Sequence, residues 1–574
     1  KELGTYMLLG IRKKEIARLL VIENIMLGFL ALTLAIPIGF VFSQFVSLVI
    51  IKLLGIPEVI FISLNFISVG LLAIYFLAIY VLVLVNLLRR IKKMTVHDFL
   101  YFDKQNEKKM FRNNKKRNIF FIISIILTIA SLFLWHSRCT MEKFSEQETL
   151  TYLMISVIVL IIGIYGISAT CADMFLSVLL KSKKTKYQKD NLFVIRTFAS
   201  KARTMSFTFG TLSMLILVSL LALNYSSINK ATYEISVNLI APYDVHVFDD
   251  MPPFDNFEEY INVVDEDYTI KENFEYNIYK EPNHQIQNYY GMQFYEFDPV
   301  MKLSDYNKLL SIRGMDRLSL ENNEYFIVTD SKQSYRIEDN KDIETISLSD
   351  KKLTLKGYDT KSYWRNLVNS GRFVIIVPDS YVQGLEICEQ HLVIDTKEET
   401  TTKLSEKIDT ELNHLLAVKD ENGEKDYEYY RVSVRGSAIE EQKAMTAMVA
   451  SLFMYIAFIL ISAVGTILAI QSLSDSSKYK YRYLTLRRLG VNDKSLFKTV
   501  RKQLLILFCV PAISSIVCSF VMMSSLNNVY QQILGDKYLY LIYFGLNLVF
   551  FFLIYGIYWI ATYIGFKRNI NEES

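Results

Sequence analysis

The chain has 574 residues, 51% of them hydrophobic, with 63 Lys and Arg against 59 Asp and Glu and a formal net charge of +4. A mean hydropathy of +0.22 together with long apolar runs excludes an ordinary soluble domain and a disordered chain, and places the sequence in the membrane class. The near-neutral total hides a strong separation of charge along the chain.

The first residues, KELGTYMLLGIRKKEIARLL, predict a short helix with Leu3, Tyr6 and Met7 on one apolar face. Gly10 is the residue type suited to a left-handed helix end. A basic amphipathic helix restarts after it, with Arg12 at the cap position, where it caps poorly, and runs into an apolar span. Eight runs read as membrane spans: 25–51, 60–88, 119–135, 151–180, 206–224, 444–473, 504–523 and 541–566. Lysine and arginine cluster before the first span, on both sides of the linker between the second and third, after the fourth, between the sixth and seventh, and after the last. With simple alternation all these clusters fall on one side, which predicts a cytoplasmic location for that side and for both ends of this chain.

The stretch NLFVIRTFASKARTMSFTFG predicts an interfacial elbow helix at 191–201 ahead of the fifth span. Residues 225–440 follow as a polar outer domain with 41 acidic and 23 basic residues, a net of −18, while the rest of the chain carries 40 basic against 18 acidic, a net of +22. Strands are expected at 243–248, 324–328, 373–377, 391–394 and 427–434, and a helix at 402–416, which makes the domain α+β. Ser437 and Glu440 fit a capping box opening a helix continuous with the sixth span. Between residues 231 and 270 there are ten acidic residues and no Lys or Arg. Asp249, Asp250, Asp255, Glu258, Glu259, Asp265, Glu266 and Asp267 form its core, with Phe254, Phe257 and Tyr260 interleaved. A solvated loop explains this run most simply, and an attractive surface for a cationic, partly apolar peptide is the functional reading.

After the sixth span, YRYLTLRRLGVNDKSLFKTV repeats the opening rhythm. Aligning Leu9–Gly10 with Leu489–Gly490 places Ile11 on Val491, Thr5 on Thr485, Lys14 on Lys494 and Arg18 on Lys498. Asn492 is a credible cap for the restart. Either unit alone reads as a helix lying on lipid. Two copies at matched spacing read as docking elements for a cytoplasmic partner.

What is missing bears on the energy source. No GxxxxGK[ST] loop is present, so no ATP hydrolysis is expected from this chain. The spans hold almost no ionisable residues beyond Glu23 and Asp173, both interfacial by position, so no ion relay is expected. The five cysteines and six histidines show no metal or disulfide spacing, and pairing of Cys139 with Cys388 is the one conceivable bridge. No nucleophile–base or paired-carboxylate arrangement stands out, so no catalytic residue and no metal site is assigned.

The plan of elbow helix, span, large outer domain, span, helix–glycine–helix unit and two spans resembles the FtsX-like permease domain of ABC transporters of the MacB type. The resemblance covers about residues 191–566 as one four-span unit and 1–88 as the second half of an earlier one. With the central span pair between them, the whole is similar to the ten-span BceB-type permeases of Gram-positive bacteria, which serve in bacitracin and lantibiotic resistance. On that resemblance the segments are 1–90, half of the first unit; 91–190, basic linker and central span pair; 191–224, elbow and span; 225–440, extracellular domain; and 441–574, the last three spans with the second coupling helix. The first span of such a plan and its small outer loop are then expected ahead of Lys1.

The resemblance implies a polytopic helical permease of the bacterial plasma membrane. It assigns ATPase coupling to Glu2, Leu3, Met7, Leu9, Gly10, Ile11, Leu484, Thr485, Arg488, Leu489, Gly490 and Val491. It also implies no cofactor on this chain, ATP and Mg through two partner ABC ATPase subunits, and a partner sensor histidine kinase. The ligand implied is a cationic peptide antibiotic or its complex with a lipid-linked wall precursor, alongside membrane lipid and no nucleic acid. Two alternatives stay open, a mechanotransmitting regulator of a wall hydrolase and a lipoprotein-releasing permease; a membrane enzyme has no constellation to support it.

Overall fold

The computed structural model describes residues 2–54, 66–93, 114–140, 146–179, 193–194, 197–198, 205–249, 257–291, 296–329, 336–337, 340, 345–348, 351–360, 372–412, 417–419, 425–428, 432–478, 480–534 and 538–571. A short helix α1 (Glu2–Leu8) is followed by α2 (Lys13–Leu54), α3 (Phe66–Lys93), α4 (Asn114–Thr140), α5 (Glu146–Leu179) and α6 (Ser206–Ile240). The sheet domain contains β1 (Val245–Asp249), α7 (Glu258–Asp267), β2 (Ile270–Glu281), α8 (Gln285–Tyr290), β3 (Asp298–Lys302), α9 (Leu303–Ile312) and β4 (Glu324–Thr329). It continues with β5 (Thr345–Leu348), β6 (Lys351–Asp359), β7 (Phe373–Val377), β8 (Glu386–Thr396), α10 (Thr402–Glu411), β9 (Ala417–Lys419), β10 (Lys425–Glu428) and β11 (Val432–Val434). The chain then passes through α11 (Arg435–Lys478), α12 (Lys480–Arg488), α13 (Asp493–Leu534) and α14 (Leu539–Asn571).

Eight helices among the described residues are long and apolar enough to cross a membrane: α2 to α6, α11, α13 and α14. The fold is that of a polytopic helical membrane protein with a large α+β domain between the fifth and sixth of them. The helix α6 is central, with 56% of its most apolar window buried, whereas the corresponding windows of α2 and α3 are 6% and 0% buried. Phe209, Leu212, Ile216 and Leu220 form one face of α6 and pack against Ala457, Ile461, Val464 and Leu468 of α11 and Phe508 of α13. With no hydrophobic drive between helices in lipid, close approach and hydrogen bonds hold such a bundle. Asn547 of α14 donates to Asn224 Oδ1 and Ser227 Oγ of α6 at 3.1 Å each, and Ser515 Oγ of α13 donates to the Ser213 carbonyl at 2.6 Å. The α2–α3 pair is tied on through Tyr455 of α11, whose hydroxyl donates to the Ser43 carbonyl at 2.9 Å.

The nine-stranded sheet runs in the order β11-β1-β8-β2-β3-β7-β4-β6-β5, with β3–β7 and β4–β6 parallel and every other pair antiparallel. The strands β9 and β10 pair separately. Alternation along β7 sends Phe373, Ile375 and Val377 to one face and Val374 and Ile376 to the other, and all five are fully buried. Both faces are covered: α9 lies on one, and α7, α8 and α10 on the other.

Three expectations need correction. The acidic run contains an amphipathic helix, α7, because Tyr260, Val263 and Val264 recur at helical spacing and are buried against β1, β8 and α10. The proposed capping box is not formed: α11 begins at Arg435, directly after β11, and Glu440 instead accepts from Thr402 Oγ1 at 3.1 Å. The stretch 427–434 is not one continuous described strand, since it holds the end of β10 and all of β11, with 429–431 outside the described residues. Cys139 and Cys388 do not pair, and none of the five cysteines forms a disulfide. Burial pushes the Cys388 thiol up to about 12, which makes it an inert core group.

Candidate coupling site

The two helix–glycine–helix units close in the same way. In the first, the Gly10 N–H donates to the Met7 carbonyl at 3.2 Å and the Ile11 N–H to the Tyr6 carbonyl at 3.1 Å. In the second, Gly490 donates to Arg487 at 2.9 Å and Val491 to Leu486 at 3.1 Å. These paired bonds are a Schellman helix end, and they require a left-handed residue between helix and restart. Gly10 has φ +97° and Gly490 has φ +87°. The turn turns the leucine before each glycine outward. Leu9 is 77% exposed and Leu489 is 75% exposed, so each unit presents an uncovered apolar tip at the matched position.

The restarts differ in their capping. Asn492 Oδ1 accepts from the Lys494 N–H at 2.7 Å, as expected of a capping asparagine. Arg12 has no such acceptor, and Glu15 reaches back to its N–H at 3.2 Å.

The second unit is braced more heavily than sequence alone indicates. Arg487 donates to Asp493 Oδ1 at 2.8 Å and to Asn571 Oδ1 at 2.6 Å, which ties the tip across its turn and to the end of α14. Tyr483, 1% exposed, donates to Gln503 Oε1 of α13 at 2.7 Å and meets Phe193 and Phe566 edge-on at 5.9 and 5.8 Å. At the first unit Met7 and Lys13 stand in the places of Arg487 and Asp493, so this brace has no counterpart there. The signal for Tyr483 was its spacing from Leu486, which puts both on the packed side of α12. The partner at Gln503 is twenty residues away and was not foreseeable.

Of the residues assigned to coupling, Leu9, Gly10, Ile11, Thr485, Arg488, Leu489 and Gly490 are exposed, and Met7, Leu484 and Val491 are half-buried. Glu2 and Leu3 lie in α1, with side chains outside the described residues. From the expected elbow helix, 193–194 and 197–198 are described and helical, with Val194 and Phe198 buried; its other residues lie outside the described ones.

The path from tip to sheet is short. The helix α12 is separated from α11 by one residue, and α11 at ~1.5 Å per residue reaches ~66 Å before it joins β11 without a loop. At the junction Arg435 donates to the Ala241 carbonyl and to Asn238 Oδ1 at 2.6 Å each, clamping α11 to the end of α6. Gly436 sits so close to the Thr400 carbonyl oxygen that a Cβ would lie 2.2 Å from it.

The acidic group is not assembled as one exposed surface. Asp249 ends β1 and is 1% exposed, so it is removed from any such surface. Asp250 and Asp255, like Phe254, lie outside the described residues. Glu258, Glu259 and Asp265 are exposed on α7, whereas Glu266 and Asp267 each bind Lys407 Nζ at 2.7 Å. Phe257 and Tyr260 are core residues rather than an outward aromatic surface.

Residues 1–96, which contain the first tip and helices α2 and α3, match the FtsX-like permease C-terminal family. The match takes in the first helix–glycine–helix unit and the two helices that follow it. The chain is also 24% identical over 237 residues to the bacitracin export permease protein BceB of Halalkalibacterium halodurans (strain C-125). That alignment covers 40% of this chain and 36% of the relative, so the shared stretch is little more than a third of the relative's length.

Proposed function

We propose that this permease chain is the membrane subunit of an ABC system that confers resistance to, and senses, peptide antibiotics acting on the cell wall. Two separate ATPase subunits, which hold the ATP and Mg, dock on the tips 1–11 and 481–491. The basic side of the spans faces the cytoplasm, the sheet domain faces outward, and both ends of this chain lie inside. The observation that carries the reading is the pair of Schellman-capped tips, each with an uncovered leucine, in a chain whose residues 1–96 match the FtsX-like permease C-terminal family.

Tip motion has a mechanical route to the outside, since α12, α11 and β11 follow one another with a single residue between the first two. The outer domain is where a cationic peptide or its complex with a lipid-linked precursor is engaged, with Glu258, Glu259 and Asp265 contributing attraction at a distance. A partner sensor histidine kinase reads the same motion. The chemistry of the chain is binding and displacement; bond-making belongs to the partner ATPase.

The test replaces Leu9, Leu489 or both with Asp in the full chain and measures association with the candidate ATPase and peptide resistance. Each single change is expected to weaken association and the double change to abolish it and the resistance. Unchanged association in the double variant overturns the docking assignment. A wall hydrolase retained in place of an ATPase favours the regulator reading.

A further inference from the structure

A cavity of about 530 Å³ opens at the base of α13, between α12 and the elbow residue Phe193. Phe193, Leu486 and Val491 line it from the elbow and the tip, and Ser495, Leu496, Lys498, Thr499 and Lys502 line it along successive turns of α13. Among the described residues the lining has two lysines and no carboxylate.

Depth identifies the occupant. The apolar run of α13 begins at Leu504, so at ~1.5 Å per residue Lys502 lies ~3 Å and Lys498 ~9 Å outside it. The headgroup layer on each side of a bilayer is about 5–7 Å thick, which puts Lys502 within it and Lys498 just beyond it, from where a lysine stem reaches back to phosphate level. Basic pockets among membrane helices attract anionic headgroups.

We propose that this cavity holds one anionic phospholipid. Its phosphate meets Lys498 and Lys502, a hydroxyl of Ser495 lies within the same lining, and its glycerol and upper acyl carbons lie on Phe193, Leu486, Val491 and Leu496. The lipid wedges between elbow and coupling helix, next to the Tyr483 anchor, and so stiffens the second tip from the membrane side.

The first unit supplies an internal contrast. In the alignment that superposes Gly10 on Gly490, the positions of Ser495, Lys498, Thr499 and Lys502 are held by Glu15, Arg18, Leu19 and Ile22. One basic and one acidic residue, with two aliphatic ones, do not make a phosphate site. The inference is therefore one such lipid per chain, at the second unit alone. Its test is separate from the docking test, because Leu489, the residue changed there, is not part of the lining, although Leu486 and Val491 of the same tip are.

The full-length chain in a zwitterionic detergent is titrated with phosphatidylglycerol or phosphatidylcholine, and retained lipid is counted by native mass spectrometry. One phosphatidylglycerol per chain is expected to be retained in preference to phosphatidylcholine. Lys498→Ala/Lys502→Ala is expected to weaken retention roughly thirtyfold, the factor that two lysines at about 1 kcal/mol each supply near an anionic surface. Lys13→Ala/Lys14→Ala, which removes the same charge at the first unit, leaves retention unchanged. Inorganic phosphate at equal concentration does not displace the lipid, because it lacks the part that lies on the apolar lining residues. Equal retention of both lipids, an unchanged Lys498/Lys502 variant, displacement by inorganic phosphate, or displacement of the lipid by a bound ATPase would each overturn the proposal. Unchanged thermal unfolding of both double variants keeps the comparison valid.

Discussion

Gly490→Ala isolates the conformational role of the tip. The residue has φ +87° and a Cβ added there would meet nothing within 4 Å, so no steric cost arises. What remains is the left-handed backbone, about 1–2 kcal/mol for a residue with a Cβ. Part of this is offset by the smaller freedom of alanine in the unfolded chain, about 0.4–1 kcal/mol. A net cost near 1 kcal/mol opens the Schellman turn about fivefold more often. The Gly490 and Val491 amides, which donate to Arg487 and Leu486, then lose protection together. Amide hydrogen exchange of the full chain in detergent reads this directly: about fivefold faster exchange at these two amides, with α13 amides beyond Leu504 unchanged. Gly490→Asn should recover most of the protection, because Asn visits the left-handed region more readily. Unchanged exchange in Gly490→Ala, or equal loss in Gly490→Asn, would refute the reasoning. The same substitution at Gly10 should behave alike, since its φ is +97° and its surroundings are equally open.

Other consequences follow from named contacts. Gly436→Ala has the opposite cause: its Cβ would sit 2.2 Å from the Thr400 carbonyl oxygen, so the loop between β8 and α10 must move off α11, and proteolysis at the domain neck should become faster while exchange at the tips stays as before. Tyr483→Phe removes the donor to Gln503 Oε1 and leaves a buried acceptor unmatched, about 1–3 kcal/mol, which should appear as a lower thermal midpoint and a weaker second tip. Glu398 accepts from the Thr269 N–H at 2.8 Å and its hydroxyl at 3.0 Å, which holds its pKa below the ordinary glutamate value. Its contribution is therefore full at neutral pH and fades as pH falls through that lowered pKa, so wild type and Glu398→Gln should differ in unfolding midpoint at pH 7 and converge in acid; a constant gap would exclude the linkage. Reversing Glu258, Glu259 and Asp265 to Lys should slow association of cationic peptides most at low salt, and no change in susceptibility to any such peptide would return these residues to a plain solvated face.

Several features were set by the sequence itself because they depend on local composition. Span lengths follow from the thickness of hydrocarbon, so eight runs such as 206–224 and 541–566 could be placed without tertiary information. The tips were legible for the same reason: only glycine enters the left-handed region freely, and Leu-Gly followed by a basic restart occurs twice at matched spacing. The strand at 373–377 was visible because a fully apolar run bounded by turns has few other homes.

Tertiary structure decided what the acidic run does. Charge density suggested solvent throughout, but the buried face of α7 needs only Tyr260, Val263 and Val264, and a helix hides such a face among acids. Burial of Asp249 and capture of Glu266 and Asp267 by Lys407 depend on β1, β8 and α10 coming together from positions more than a hundred residues apart. The brace of the second tip through Tyr483, Gln503, Phe566 and Asn571 is likewise long-range, as is the lysine-lined cavity beside it. Hydropathy and backbone preference act over a few residues and can be read along the chain, whereas burial and pairing are properties of which distant surfaces meet.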